Sequence, residues 1–468
     1  MKQSHLAVIL CLFLLATACK NTNQNQDAST TFTGDTSITA APPSPEWAKY
    51  ASIYEVNIRQ FSQEGTFKAV EAQLPRLKEM GVDIIWLMPI FPISQTSKKG
   101  TLGSPYAVAD YKTVNPDYGT MADFKSLVNR AHALGLRVIL DWVANHTGRD
   151  HVWVKFHPNW YTQVNGKFVA PVDPATGKPT DWTDVIDLNY DNAEMRLNMM
   201  DAMQYWVKEF DVDGYRCDVA GYVPNDFWAE IRPKLDKIKP VFMLAEWEDD
   251  PAQFKYFNAN YGWSMHNMMK AIAKGARTAD KIDSLREANQ QRFPPWYYQM
   301  LFTQNHDENA WHNTLDEAFG PAANTFIVLS CTLEGMPLVY NGMESNLDKR
   351  LSLFEKDTIA WGNYQKNDFF KALLTLKHRN RALWNGRDGG KVVKISTDHD
   401  DKVYAFYRQL DNDKVAVILN LSSQEQTVHV SGNGYEGMYT DVFSHQSTEL
   451  RADQTITLKP WEYRVFTN

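Results

Sequence analysis

Residues 120–146 read TMADFKSLVNRAHALGLRVILDWVANH, one complete helix-then-strand unit. Thr120 with Asp123 makes a capping box at the start. Phe124, Leu127, Val128, Ala131 and Leu134 then share one face at helical spacing. Gly135 stops the helix, and Val138, Ile139 and Leu140 form a short apolar strand that ends on Asp141. A buried strand running into a carboxylate is costly unless the charge is paired or used.

The same rhythm recurs outward in both directions. Val70, Leu74, Leu77 and Met80 share a helical face, Gly81 stops it, and an apolar run from Ile84 to Met88 follows. Asp191 and Glu194 open a helix carrying Met199, Met203, Trp206 and Phe210, which leads to Gly214-Tyr215-Arg216-Cys217-Asp218. Strand-like runs also stand at 52–58, 241–246, 300–305 and 337–340, with an eighth expected near 262–266. Buried strands alternating with helices predict a parallel sheet, and eight units predict a (β/α)8 TIM barrel over 47–385. A doubly wound open sheet is the runner-up, but no Gly-rich phosphate loop follows the first strand. From about residue 390 short alternating runs predict a C-terminal antiparallel β-sandwich domain over 386–468. The stretch 147–187 reads as a short insert after the third strand.

Composition is that of a globular enzyme: 468 residues, 44% hydrophobic and 22% charged, which excludes a collagen-like, coiled-coil or mainly disordered chain. With 48 Lys and Arg against 56 Asp and Glu, the net charge of -8 disfavours a nucleic-acid partner. The N-terminus reads as an export signal over 1–18: Lys2, then an apolar run over 6–18 too short to span a bilayer. Leu15-Ala16-Thr17-Ala18-Cys19 resembles a bacterial lipobox, which implies lipidation of Cys19 and a membrane anchor on an exported protein. The polar stretch that follows, to residue 46, reads as a flexible tether. Only Cys217 and Cys331 lie in the body of the chain, so a core and not a disulfide framework supplies stability.

Barrel enzymes carry their chemistry at the C-terminal ends of the strands. Four ends here are polar: Asp141 with Asn145 and His146, Arg216 with Asp218, Glu246, and Asn305-His306-Asp307. Paired carboxyl groups around one cavity suit glycoside cleavage. Glu246 follows Phe242-Met243-Leu244-Ala245, an apolar setting that raises a carboxyl pKa as a general acid requires. Asp218 lies two residues beyond Arg216, so in a strand both point the same way and the guanidinium keeps Asp218 ionised. A metal-dependent hydrolase could draw on Asp141, His146, Asp218 and His306, but no His-x-His or His-Glu-x-x-His spacing is present.

These four segments resemble the signature regions of the α-amylase family of glycoside hydrolases. Further matches are the run 81–89, Ser104-Pro105-Tyr106 leading to Asp110-Tyr111, Asp187-Leu188-Asn189, and Gly335-Met336-Pro337 with Tyr340 and Gly342. The resemblance spans about residues 50–345. It implies Asp218 as nucleophile, Glu246 as general acid and base, and Asp307 as transition-state stabiliser. It implies that Arg216 orients Asp218 with support from Asp141, and that His146, His306 and Tyr106 hold the sugar at the cleavage point. Tyr222 and Trp247, beside catalytic positions, are candidates for sugar contact. No cofactor is required for the chemistry, and a structural Ca2+ on Asn145 and Asp187 is an expectation. The family's Lys-His, three and four positions after the nucleophile, is replaced here by Gly221-Tyr222. Of the insert's aromatic rings, Trp153, Trp160, Tyr161 and Trp182, at least half are expected to pack and not to bind. The expected activity is retaining cleavage of α-glucosidic bonds in starch-like glucans or maltooligosaccharides by a monomer. A transglycosylase or a disaccharide-converting enzyme shares the same residues, and a non-catalytic glycan-binding lipoprotein is the remaining alternative.

Overall fold

A computed structural model describes residues 41–468. The signal segment and Cys19 lie outside the described residues. Eight parallel strands close into a barrel: β1 (Ile53–Val56), β2 (Ile84–Leu87), β3 (Arg137–Trp142), β4 (Gly214–Cys217), β5 (Phe242–Ala245), β6 (Ala259–Tyr261), β7 (Tyr298–Leu301) and β8 (Met336–Tyr340). Each pairs with its neighbours in chain order, and β8 returns to β1. Alternate side chains separate two cores. Ile53, Ile84, Trp86, Ile139, Leu244 and Met300 fill the barrel, while Tyr54, Ile85, Val138, Tyr215 and Met243 pack outward against the helices. Strands buried on both faces explain the unbroken apolar runs in the sequence.

Local signals fix the helix ends. The capping box of Thr120 and Asp123 is formed in both directions at the start of the helix Met121–Ala133. Gly81 ends the helix Phe67–Met80 at φ +95°, a conformation that favours glycine. The helix Ala193–Phe210 is capped by Asn192, one residue later than its acidic opening suggested. Two strand readings also shift. The eighth strand is β6 at Ala259–Tyr261, and the region expected to hold it instead opens the helix Trp263–Ala273. The run expected at 300–305 is β7 at Tyr298–Leu301, so Asn305, His306 and Asp307 stand on the loop beyond it. The tether ends earlier than residue 46: Pro42 and Pro45 are buried, and the Pro43 carbonyl accepts from Asn258 Nδ2 at 3.0 Å.

The insert is clasped at its base, where His146–Gly148 pairs antiparallel with Val185–Asp187. Trp160 and Tyr161 are buried in the main core and Trp153 packs against it, while Trp182 lines the central cavity. The C-terminal domain has eight antiparallel strands: β9 (Val392–Thr397), β10 (Val403–Leu410), β11 (Asp413–Asn420), β12 (Gln426–Ser431), β13 (Gly437–Asp441), β14 (Ser447–Leu450), β15 (Thr455–Leu458) and β16 (Tyr463–Thr467). Their order is β14-β13-β16-β11-β10-β9-β12-β15. One strand passes between layers: β9 pairs with β10 over its first residues and with β12 over Ser396 and Thr397. Val428, Val430 and Ile456 thereby face Val403, Ala405 and Ile418 in one core.

Candidate active site

On β1, β3 and β4 the inward face turns polar at its last position. Glu55 lies beside Trp86 in register, and Arg216 lies beside Asp141. Four strands thus raise Glu55, Trp86, Asp141 and Arg216 into one layer at the C-terminal rim, all fully buried. Gly214 starts β4 at φ +152°, where a Cβ would fall 1.8 Å from the Phe242 carbonyl oxygen. That close approach seats β4 tightly against β5.

Arg216 is the hub. Its Nη1 pairs with Asp141 Oδ1 and with Asp218 Oδ1, both at 2.8 Å, and its Nη2 pairs with Glu246 Oε1 at 2.6 Å. Nε donates to the Tyr261 hydroxyl at 3.0 Å. Trp86 Nε1 and the Tyr106 hydroxyl donate to Asp141 Oδ2 at 3.2 and 3.1 Å. One buried cation therefore holds three carboxyl groups. Burial pushes Asp141 up to about 7 against the pull of Arg216.

Glu246 follows directly on β5. Burial raises it to about 8, with Asp218 and Asp307 adding to the rise and Arg216 opposing it. It therefore keeps its proton at neutral pH, the state a general acid needs. Its Oε2 accepts from the Val219 amide at 2.7 Å. Val219 sits at φ +36°, ψ +51°, which a β-branched residue rarely adopts. The chain thus turns sharply right after Asp218, and the turn aims an amide at the neighbouring carboxyl. Backbone strain of this kind collects at functional sites.

On the opposite side, His306 Nδ1 lies 2.5 Å from Glu55 Oε1, and its Nε2 lies 2.7 Å from the Tyr106 hydroxyl. Burial disfavours the imidazolium, but Asp307 and Glu55 outweigh it and raise His306 to about 9. The ring stacks on Tyr106 with centroids 5.5 Å apart. His146 is also buried, and burial lowers its pKa, so it is neutral where His306 is charged. Asp307 is partly exposed and precedes a short π-helical turn over Glu308–His312, a feature common at functional sites.

These groups converge on one cavity of about 300 Å³, the lower end of the small-molecule range. Asp218, Glu246, Asp307, Tyr106, His146 and His306 all line it. Arg216 and Asp141 lie beneath them, fully buried. Tyr222 and Trp247 stand outside the cavity lining. Tyr222 stacks on Trp182 at 5.9 Å and meets Trp247 edge-on at 5.9 Å. Gly221 is a consequence of that packing, since a Cβ there would fall 2.2 Å from the Trp247 ring.

Comparison with known proteins accords with this geometry. The family description "Alpha amylase, catalytic domain" matches residues 16–388, and "Maltogenic Amylase, C-terminal domain" matches 394–465. The chain belongs to the alpha-amylase family. It is a glycoside hydrolase by that membership. A curated alpha-amylase from Haloarcula japonica is 27% identical over 460 residues, covering 94% of this chain and 65% of its own length. The solved structure of a noncanonic maltogenic alpha-amylase from Thermotoga neapolitana is 30% identical, with TM-score 0.80, covering 90% of this chain and 98% of its own. An alpha-amylase from Lactobacillus plantarum is 30% identical at TM-score 0.78, covering 90% and 99%.

Asn145 and Asp187, the expected calcium ligands of this alpha-amylase family chain, come together at the base of the insert, where Asp187 pairs with His146. Burial raises Asp187 to about 6. Among the described residues, no group of three or more His, Cys, Asp or Glu side chains is arranged to hold a metal. Two side-chain oxygens fit calcium only if main-chain carbonyls and water supply most of its six to eight ligands.

Sequence reasoning passed over Glu55, which reads as an ordinary residue of the run 52–58, and Tyr261, which lies just before the region expected to hold the eighth strand. Period-two alternation held the signal for Glu55, since it shares the inward face with Ile53. Lys99, Asp184, Trp311, Leu353 and Phe354 also line the cavity. They come from loops with no motif of their own.

Proposed function

We propose that this chain cleaves α-glucosidic bonds in starch-like glucans or maltooligosaccharides with retention, through a covalent glycosyl intermediate on Asp218. One observation carries the reading: a single buried guanidinium holds both Asp218 and Glu246, and burial raises Glu246 to about 8. A shared partner favours the short carboxyl separation of retaining enzymes, about 5–5.5 Å, over the longer one of inverting enzymes. In the first step Asp218 attacks the anomeric carbon while Glu246 gives its proton to the departing glycosidic oxygen. In the second step Glu246, now a carboxylate, takes a proton from water, and the water oxygen displaces Asp218. Asp307 and charged His306 sit where sugar hydroxyls would meet them, and Tyr106 offers its ring face.

Transfer to a second sugar is the second reading. It is favoured by Trp182, Tyr222 and Trp247, whose rings stand close to Glu246 and give an acceptor sugar a face to stack on. Incubation with soluble starch, maltoheptaose, pullulan, sucrose and trehalose distinguishes the readings. Short maltooligosaccharides are expected. Products longer than the donor would assign transfer, and turnover of disaccharides alone would assign small-sugar conversion.

A structural calcium on Asn145 and Asp187 belongs to the proposal as a stabiliser and takes no part in the chemistry. Adding Ca2+ to chelator-treated protein is expected to raise Tm; an unchanged Tm would remove it. The protein is proposed to act as a monomer, exported and anchored through a lipid on Cys19. Among the described residues, no helix is long and apolar enough to cross a membrane. Cys19→Ala is expected to move the protein from the detergent phase to the aqueous phase, and no shift would refute the anchor.

A further inference from the structure

The rim of the cavity is uneven. On one side four loops are stitched into a continuous barrier. The loops after β7 and β8 are joined by Asn309, whose Nδ2 donates to the Lys349 carbonyl at 3.0 Å and whose Oδ1 accepts from the Leu351 amide at 2.8 Å. The loops after β8 and β2 are joined by the Leu102 amide on the Phe354 carbonyl at 3.0 Å. Arg59 Nη1 adds a second tie, donating to Gly103 O at 3.0 Å and Leu353 O at 2.7 Å. The loop after β2 then reaches the insert, where Lys99 Nζ pairs with Asp184 Oδ1 at 3.2 Å. Both partners line the cavity, and the Asp184 side chain is only 5% exposed.

The rim is lower at β6. β6 passes through Gly262 alone into the helix Trp263–Ala273, so no loop rises there. That gap lies next to β5, which delivers Glu246. The chemistry sets the direction of the substrate, given the hydrolase reading above. Glu246 protonates the leaving oxygen, so the departing part of the glucan leaves on the Glu246 side, past the Tyr222 and Trp247 rings. The retained sugar, with whatever chain precedes it, points toward the stitched wall.

We propose that the cavity is a blind-ended pocket for the non-reducing end of an α-glucan, with the Lys99–Asp184 ion pair as part of its stop. The enzyme then removes short units from chain ends and does not cut within chains. A pocket of about 300 Å³ suits a short chain end.

The test uses the full-length protein and two chromogenic maltoheptaosides, one with a free non-reducing end and one with that end capped by a ketal. The wild type is expected to cleave the free substrate and to discriminate against the capped one by at least about tenfold, as a steric stop does. Lys99→Ala and the near-isosteric Asp184→Asn are each expected to narrow that ratio and to lengthen the first product. The two variants approach the ion pair from opposite partners, so a folding failure in one leaves the other to decide. Equal rates on both substrates with the wild type would overturn the blind pocket while leaving the hydrolase reading intact. Absence of turnover on either substrate by folded wild type would overturn both.

Discussion

At the scale of single residues, Arg216 organises the site by holding Asp141, Asp218 and Glu246 together. Asp218→Asn keeps the size of the proposed nucleophile and removes its charge. It is expected to lower kcat by about 10⁴-fold or more, as loss of a catalytic group that acts in concert with others does; activity within tenfold of wild type would displace Asp218 from that role. Glu246 acts as an acid only while protonated, so kcat/KM is expected to fall as pH rises through about 8. A profile flat to pH 10 would contradict that assignment. His306 is raised in the folded state from its ordinary value of about 6.5 to about 9. Its contribution to stability is fully present below about 6.5 and is lost as pH rises through about 9. His306→Gln is therefore expected to flatten the decline of Tm between those values, and an unchanged slope would refute it. Much of this was legible at residue level, because Asp141, Arg216, Asp218 and Glu246 stand at or just past the ends of local strand patterns. Glu55 was not, since only its inward direction, and no neighbour in sequence, marks it.

At the scale of elements, the apolar strand runs read clearly wherever the strand had four or more buried residues. β6 has three, and the aromatic pair Tyr261 and Trp263 blurs where strand gives way to helix. β13 and β14 escaped detection in the C-terminal domain for a different reason. Their residues are mostly exposed or half-exposed, with Gly437, Thr440, Ser447 and Thr448 giving little apolar alternation. The turn after β4 makes its own prediction. Gly221→Ala places a methyl 2.2 Å from the Trp247 ring and must displace it. Overpacking of this kind costs about 1–3 kcal/mol, measurable by chemical denaturation, and it should also weaken acceptor-dependent transfer. A neutral effect on both would show that the rings are free to move aside.

At the scale of the whole molecule, the barrel and the C-terminal domain are bound by a buried cation. Arg408 on β10 donates from Nη1 to the Leu333 carbonyl at 2.7 Å, from Nη2 to Trp384 O at 2.7 Å and from Nε to Gly390 O at 2.7 Å. Arg408→Met would leave these buried carbonyls without donors. It is expected to cost about 3 kcal/mol or more and to split a single thermal transition into two; one unchanged transition would refute the coupling. The stitched rim also belongs to this scale, because Lys99 on the loop after β2 and Asp184 in the insert after β3 meet only in the folded protein. Motif reading reaches the reacting atoms and stops short of the loops that choose the substrate. Retention through Asp218 is tested most directly by NMR of the first products from maltoheptaose. α-Anomeric products are expected from the wild type and none from Asp218→Asn. Products that appear first as the β anomer, or equal turnover by the variant, would contradict it.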